Sequence, residues 1–178
     1  MSVNLIEWSS KISQAEKTRQ GIAPLTEQID SLSLKDAYSI QLEQIHRKVN
    51  AGDNITGKKI GLTSRAMQQL LNVDEPDYGH LLASMAITNN VLDCSECIKP
   101  RVEAEIAFVM KEDLIGPNVT LEQVLAATDY VVASLEIVDS RIKDWKIKLL
   151  DTIADNASSA KYVLGDIKKP IEEIDLPA

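Results

Sequence analysis

Apolar positions recur at helical spacing over the first fifty residues. Leu5, Trp8, Ile12 and Ala15 fall on one stripe and predict a helix from Leu5 to about Gln20, which Gly21 and Pro24 then interrupt. Ser33 precedes Asp36 by three residues, a capping-box spacing with Asp in place of the usual Glu. A second helix follows through Ala37, Ile40, Leu42, Ile45 and Val49, ending near Gly52, with His46 and the charged residues on its wet face. From ITGKKIGLTS onward the period shortens. Residues 55–62 predict a strand, and Thr63 or Ser64 caps a short helix, RAMQQLLN, that turns Met67, Leu70 and Leu71 inward.

The stretch VDEPDYGHLLASMAI reads as a loop feeding another strand, followed by NNVLDC and the strand RVEAEIAFVM, Arg101 to Met110. GPNVT is a turn, Thr120 with Gln123 caps the helix LEQVLAATDY, and VVASLEIVD and KYVLG are two further strands. The segment IKDWKIKLL is open to reading as an amphipathic helix with Trp145 and Ile147 inward. No repeat, low-complexity tract or flexible linker interrupts the chain. These elements predict an α+β class, with a helical N-terminal part at residues 1–53 and a β-rich part at 54–178.

RVEAEIAFVM poses a chemical question. Side chains alternate across a strand, so Glu103 and Glu105 share one face about 6–7 Å apart, while Val102, Ala104, Ile106, Phe108 and Met110 line the other. A third acid, Glu136, sits between Leu135 and Ile137 in the next strand, across a turn and a helix. Burying three unpaired carboxylates is prohibitive unless a divalent cation neutralises them, and an all-oxygen set suits Mg²⁺ or Mn²⁺. An exposed sheet with the acids paired to Lys or Arg is the other reading, and the pattern alone leaves both open.

Composition narrows the partners. With 178 residues, 44% hydrophobic and 26% charged, the chain suits one domain, or one with a small appendage, and needs no disulfide staples. A net charge of −8 argues against a general affinity for nucleic acid. No apolar run approaches the roughly 20 residues of a membrane span, and the N-terminus lacks the basic-then-apolar order of a secretory signal, so a cytoplasmic location is expected. Cys94 and Cys97 form a lone CxxC without a second pair or suitably spaced histidines, and read as reduced thiols without a role.

Three segments taken together go further. GKKIGLTSRAMQQLLNVDEPDYGHLL, PRVEAEIAFVMKEDLIGP and ASLEIVDSRIKDWKIKLLDTIADNASS resemble the 2-keto-4-pentenoate hydratases of the fumarylacetoacetate hydrolase superfamily, over about residues 5–165. The resemblance implies a mixed β-roll after the helical part. It also implies a roll incomplete at the C-terminus, because family chains continue through further strands, one of them containing glycine and serine.

It carries over Glu103, Glu105 and Glu136 as Mg²⁺ or Mn²⁺ ligands, Lys59 as the active-site lysine, Asp77 as an active-site acid and Ser158 as a pocket serine. The activity implied is a hydro-lyase that adds water to 2-hydroxypenta-2,4-dienoate, giving 4-hydroxy-2-oxopentanoate in aromatic meta-cleavage catabolism. Two alternatives stand beside it: a 4-oxalocrotonate (2-oxo-3-hexenedioate) decarboxylase, and a catalytically silent fragment or binding module. Self-association as a homo-oligomer, and a complex with the related decarboxylase, are further implications.

Read alone, each of these residues has a plainer role. Lys59 is a solvated lysine, EPDYG is good turn chemistry, and Ser158 closes a turn.

Overall fold

The computed structural model describes residues 3–175; the side chains of Met67, Leu70 and Leu71, expected to face inward, lie outside the described set. The architecture is α+β. Helix α1 (Leu5–Thr18) begins where Asn4 accepts the Glu7 N–H and ends at Arg19 in the left-handed region, φ 56°. Helix α2 (Leu34–Asn50) opens on the expected capping box, with Ser33 and Asp36 each bonding the other's backbone N–H.

The two helices bury their stripes in one core. It joins Trp8, Ile12, Leu25, Ala37 and Ile40 to Ile142, Ile153 and Ala154 from the far end of the chain. Two buried amides tie α2 to later segments of the chain. Gln41 Nε2 donates to the Tyr78 and Ile153 carbonyls, and Gln44 Nε2 to that of Ala154. Each satisfies backbone that a purely apolar helix face would leave orphaned.

Strand β1 (Ile55–Gly61) pairs antiparallel with β2 (Asp77–Leu82), across the short helix α3 (Arg65–Leu71). The second strand falls early inside VDEPDYGHLLASMAI, the stretch expected to be a loop feeding another strand. Asp77, Gly79, His80 and Leu82 are all buried, so β2 shows no alternation of apolar and polar positions. A strand covered on both faces loses the period-two signal.

A second, three-stranded antiparallel sheet has the order β3-β4-β5, with β3 at Arg101–Met110, β4 at Thr128–Val138 and β5 at Ser159–Leu164. Between β3 and β4 lies α4 (Leu121–Ala127), capped by Thr120 and Gln123 as expected. It stops three residues short of the predicted end, because Thr128 to Tyr130 already extend β4. The segment 143–154 is not one amphipathic helix: a single turn at Lys143–Trp145 is followed by α5 (Leu149–Ala154). The apolar face of β3 is open among the described residues, with Val102 61% and Ile106 47% exposed.

Candidate active site

The register of β3 against β4 sets the carboxylates. Glu103 stands directly opposite Glu136, and Glu105 opposite Ser134, so all three acids share a face. Each offers an oxygen within 4.8 Å of the others. Glu136 is only 6% exposed, and its Oε1 has no hydrogen-bond partner.

Burial pushes the Glu136 carboxyl up, with Lys59 and the Ser159 hydroxyl opposing and Glu103 adding to the rise. Ser159 acts there as a nearby dipole, since its buried oxygen lacks a partner at bonding distance. Burial and then the like charge of Glu103 push the Glu105 carboxyl up as well. A buried, part-orphaned carboxylate facing two others is costly by itself. A divalent cation removes that cost, and an all-carboxylate donor set fits Mg²⁺ or Mn²⁺.

The β1–β2 ladder supplies the next two groups. Lys59 pairs with Gly79 and Gly61 with Asp77 across it. The Lys59 ammonium stands 3.4 Å from Glu136 Oε2 and donates to the Ala157 carbonyl at 3.3 Å. Asp77 is 2% exposed, and neither carboxylate oxygen has a partner. Burial drives its carboxyl up, against the pull of Lys59.

Gly61 makes this approach possible. A Cβ there would run into Asp77 Oδ1 and lie 3.3 Å from Lys59 Nζ. Gly61→Ala is therefore expected to displace the Asp77 carboxylate and lower stability by about 1–3 kcal/mol through overpacking. Denaturant unfolding of the pair measures it; equal midpoints would mean that the side chain yields freely.

Ser158 sits at the end of the turn that leads into β5. It is buried, its Oγ faces Asp155 Oδ2 at 3.5 Å, and its carbonyl accepts the Asp139 N–H. It ends a turn in which Asn156, Ala157 and Ser158 all adopt left-handed φ, 54°, 51° and 55°. The groups that hold this turn carried no sequence signal. Asn156 bonds both backbone groups of His80, donating to its carbonyl and accepting its N–H. Gln41 Nε2 is committed to carbonyls, so its Oε1 accepts from His80 Nδ1–H at 3.0 Å, which fixes the tautomer. Burial lowers the His80 pKa and keeps the ring neutral.

Behind the turn lies a buried ion pair, Arg141 with Asp155. Arg141 also donates to the Asp139 and Ser159 carbonyls. The two cysteines are free, with Cys97 Sγ pushed up by burial and by Asp139 and so kept as a thiol.

No protein-family model matches the chain. Among curated proteins it is 46% identical over 172 residues to 2-hydroxypent-2,4-dienoate hydratase of Pseudomonas putida, covering 96% of this chain and 78% of that one. To 2-hydroxyhexa-2,4-dienoate hydratase of Comamonas testosteroni it is 44% identical, covering 94% and 65%. To 2-keto-4-pentenoate hydratase of Paraburkholderia xenovorans (strain LB400) it is 46% identical, covering 89% and 60%. The chain thus spans between 60% and 78% of the length of these relatives.

Among solved structures it superposes on 4-oxalocrotonate decarboxylase from Pseudomonas putida G7, complexed with magnesium and adipate. The TM-score is 0.92 at 37% identity, over 97% of this chain and 66% of that one. With the fold shared at that level and nearly half the residues identical to dienoate hydratases, the chain belongs to the 2-keto-4-pentenoate hydratase family.

Proposed function

We propose that this chain carries the site of a divalent-metal-dependent hydratase adding water to 2-hydroxypenta-2,4-dienoate to give 4-hydroxy-2-oxopentanoate. The observation that carries the reading is the convergence of Glu103, Glu105 and Glu136 within 4.8 Å, with Lys59 3.4 Å from Glu136. The three glutamates would hold Mg²⁺ or Mn²⁺. Bound there, the ion would supply Lewis acidity and a template for the substrate's C1 carboxylate and C2 oxygen.

The remaining work falls to the chain's own groups. Ketonisation moves a proton from the C2 hydroxyl to C5, leaving an enone whose C4 is electrophilic; hydroxide then joins C4 and a proton joins C3. The Lys59 ammonium is placed to stabilise enolate charge at the C2 oxygen or to pass a proton. Asp77 has a raised pKa and two unpartnered oxygens, which suits a group that orients and deprotonates water, then returns the proton. Ser158 supports the pocket wall through its backbone rather than through a free hydroxyl.

The same reading includes a cytoplasmic homo-oligomer, able to assemble with a related decarboxylase. It also includes a β-roll in which further strands, of this chain or another copy, cover the open face of β3. Exposed Val102 and Ile106 support that part.

A decarboxylase acting on 2-oxo-3-hexenedioate is the second reading, favoured by the superposition on a protein of that name. Identity is higher to the hydratases, 46% against 37%, which favours water addition. Spectrophotometric loss of 2-hydroxypenta-2,4-dienoate is expected to stop with EDTA and return with added Mg²⁺ or Mn²⁺. Release of CO₂ from 2-oxo-3-hexenedioate without dienoate loss would select the decarboxylase, and a folded, metal-binding protein inert to both would be a silent member.

A further inference from the structure

Lys59 meets the glutamates from a strand of the other sheet, and its position depends on the turn at residues 156–158. Three consecutive left-handed residues, none of them glycine, form a conformation that L side chains resist. It persists only where the surroundings over-determine it. On one side the Asn156 amide reproduces a strand partner, taking the His80 N–H at 2.8 Å and giving to the His80 carbonyl at 2.9 Å. Both bonds are buried. On the other side Asp155 and Arg141 anchor the residue before the turn.

Gly79 lets the two segments close, since a Cβ there would lie 2.6 Å from the Asn156 carbonyl oxygen. The product of this packing is the direction of one carbonyl, that of Ala157, which accepts from Lys59 Nζ.

We propose that Asn156 is a positioning residue: its amide clamps the left-handed turn onto β2, so that the Ala157 carbonyl and Glu136 together hold the Lys59 ammonium at the carboxylate cluster. The proposal rests on the hydratase reading for its kinetic consequence, and on geometry alone for the placement of Lys59.

The test uses Asn156→Gly, which tolerates the left-handed backbone while removing the clamp, and Asn156→Asp, which keeps the bond to the His80 N–H and loses the one to its carbonyl. For Asn156→Gly, kcat is expected to fall about 100-fold, as for a catalytic group misplaced by about 1 Å, with KM and Mn²⁺ affinity unchanged. In a Lys59→Ala background the same substitution adds no further loss. A parallel fall in Mn²⁺ affinity, or a full additional loss in that background, would show general structural damage and overturn the proposal.

A second readout needs no turnover. Acylation of Lys59 by acetic anhydride, followed by peptide mass spectrometry, is expected to speed up in both variants as the ammonium comes free. Should the wild type prove inert to the dienoate, the hydratase reading fails while the labelling still decides the clamp. Unchanged labelling overturns the clamp whatever the kinetics, and Asn156→Asp provides the comparison if the glycine variant does not fold.

Discussion

Glu136→Gln is expected to weaken Mg²⁺ or Mn²⁺ binding by more than roughly 100-fold while the chain stays folded. Loss of a mere supporting partner of a metal ligand costs about 10–100-fold, and Glu136 would be a ligand itself. Its carboxylate is the buried member of the three, opposite Glu103 in the ladder, with one oxygen toward Lys59 and the other free of any partner. Glutamine keeps the shape and removes the charge.

Two opposed effects keep the metal-free variant near wild-type stability. Lys59 loses its ion-pair partner but keeps the Ala157 carbonyl. Against that, the variant no longer buries a charged carboxylate. Burial raises the folded-state pKa of Glu136 above its unfolded value, so the stability it contributes is present at low pH and is lost as pH rises through the folded pKa. Near neutral pH the substitution removes that loss. Calorimetric titration with Mn²⁺ measures the affinity, and thermal unfolding with and without ion gives an independent check, because only a protein that binds the ion is stabilised by it. Equal affinity in variant and wild type would place the ion elsewhere.

The sequence exposed this site unevenly. Strand alternation brought Glu103 and Glu105 onto one face, and an acid inside the apolar run of β4 drew attention to Glu136; the pairing of Glu103 with Glu136 needed the fold. Capping residues marked the starts of α2 and α4 because a cap is a local event, settled by three or four neighbours. Strand β2 left no such mark. Its burial comes from packing on both sides, and its Asp, Gly and His disguise it as a loop.

The clamp and the ion pair behind it were invisible for a related reason. Asn156, His80, Gln41, Arg141 and Asp155 act through contacts between residues 14 to 112 positions apart, in segments with no periodicity. Ser158 shows the intermediate case: its position in the motif was legible, but its hydroxyl faces Asp155.

Arg141→Met is expected to cost about 3–5 kcal/mol, the range for breaking a buried ion pair from one side. Arg141 is 5% exposed and Asp155 fully buried, and the two meet at 2.5 Å. Asp155 also accepts the Arg141 N–H and the Ser140 hydroxyl. Methionine fills the space of the aliphatic stem but leaves the carboxylate without its guanidinium, and removes the bonds that Arg141 gives to the Asp139 and Ser159 carbonyls.

The pH dependence identifies the cause. In the wild type, burial pushes the Asp155 carboxyl up to about 6, with the guanidinium pulling against it. A raised carboxyl contributes stability that is full below its unfolded pKa, about 3.9, and is lost as pH rises through the folded value. In the wild type that loss is nearly complete just above pH 6. Without Arg141 the folded pKa climbs further, so the variant goes on losing stability after the wild type has levelled off. The difference between the two should therefore widen from pH 6 to pH 8, as read by urea unfolding at each pH. A difference that stays constant over that range would trace the cost to packing and the lost carbonyl bonds, not to the stranded charge.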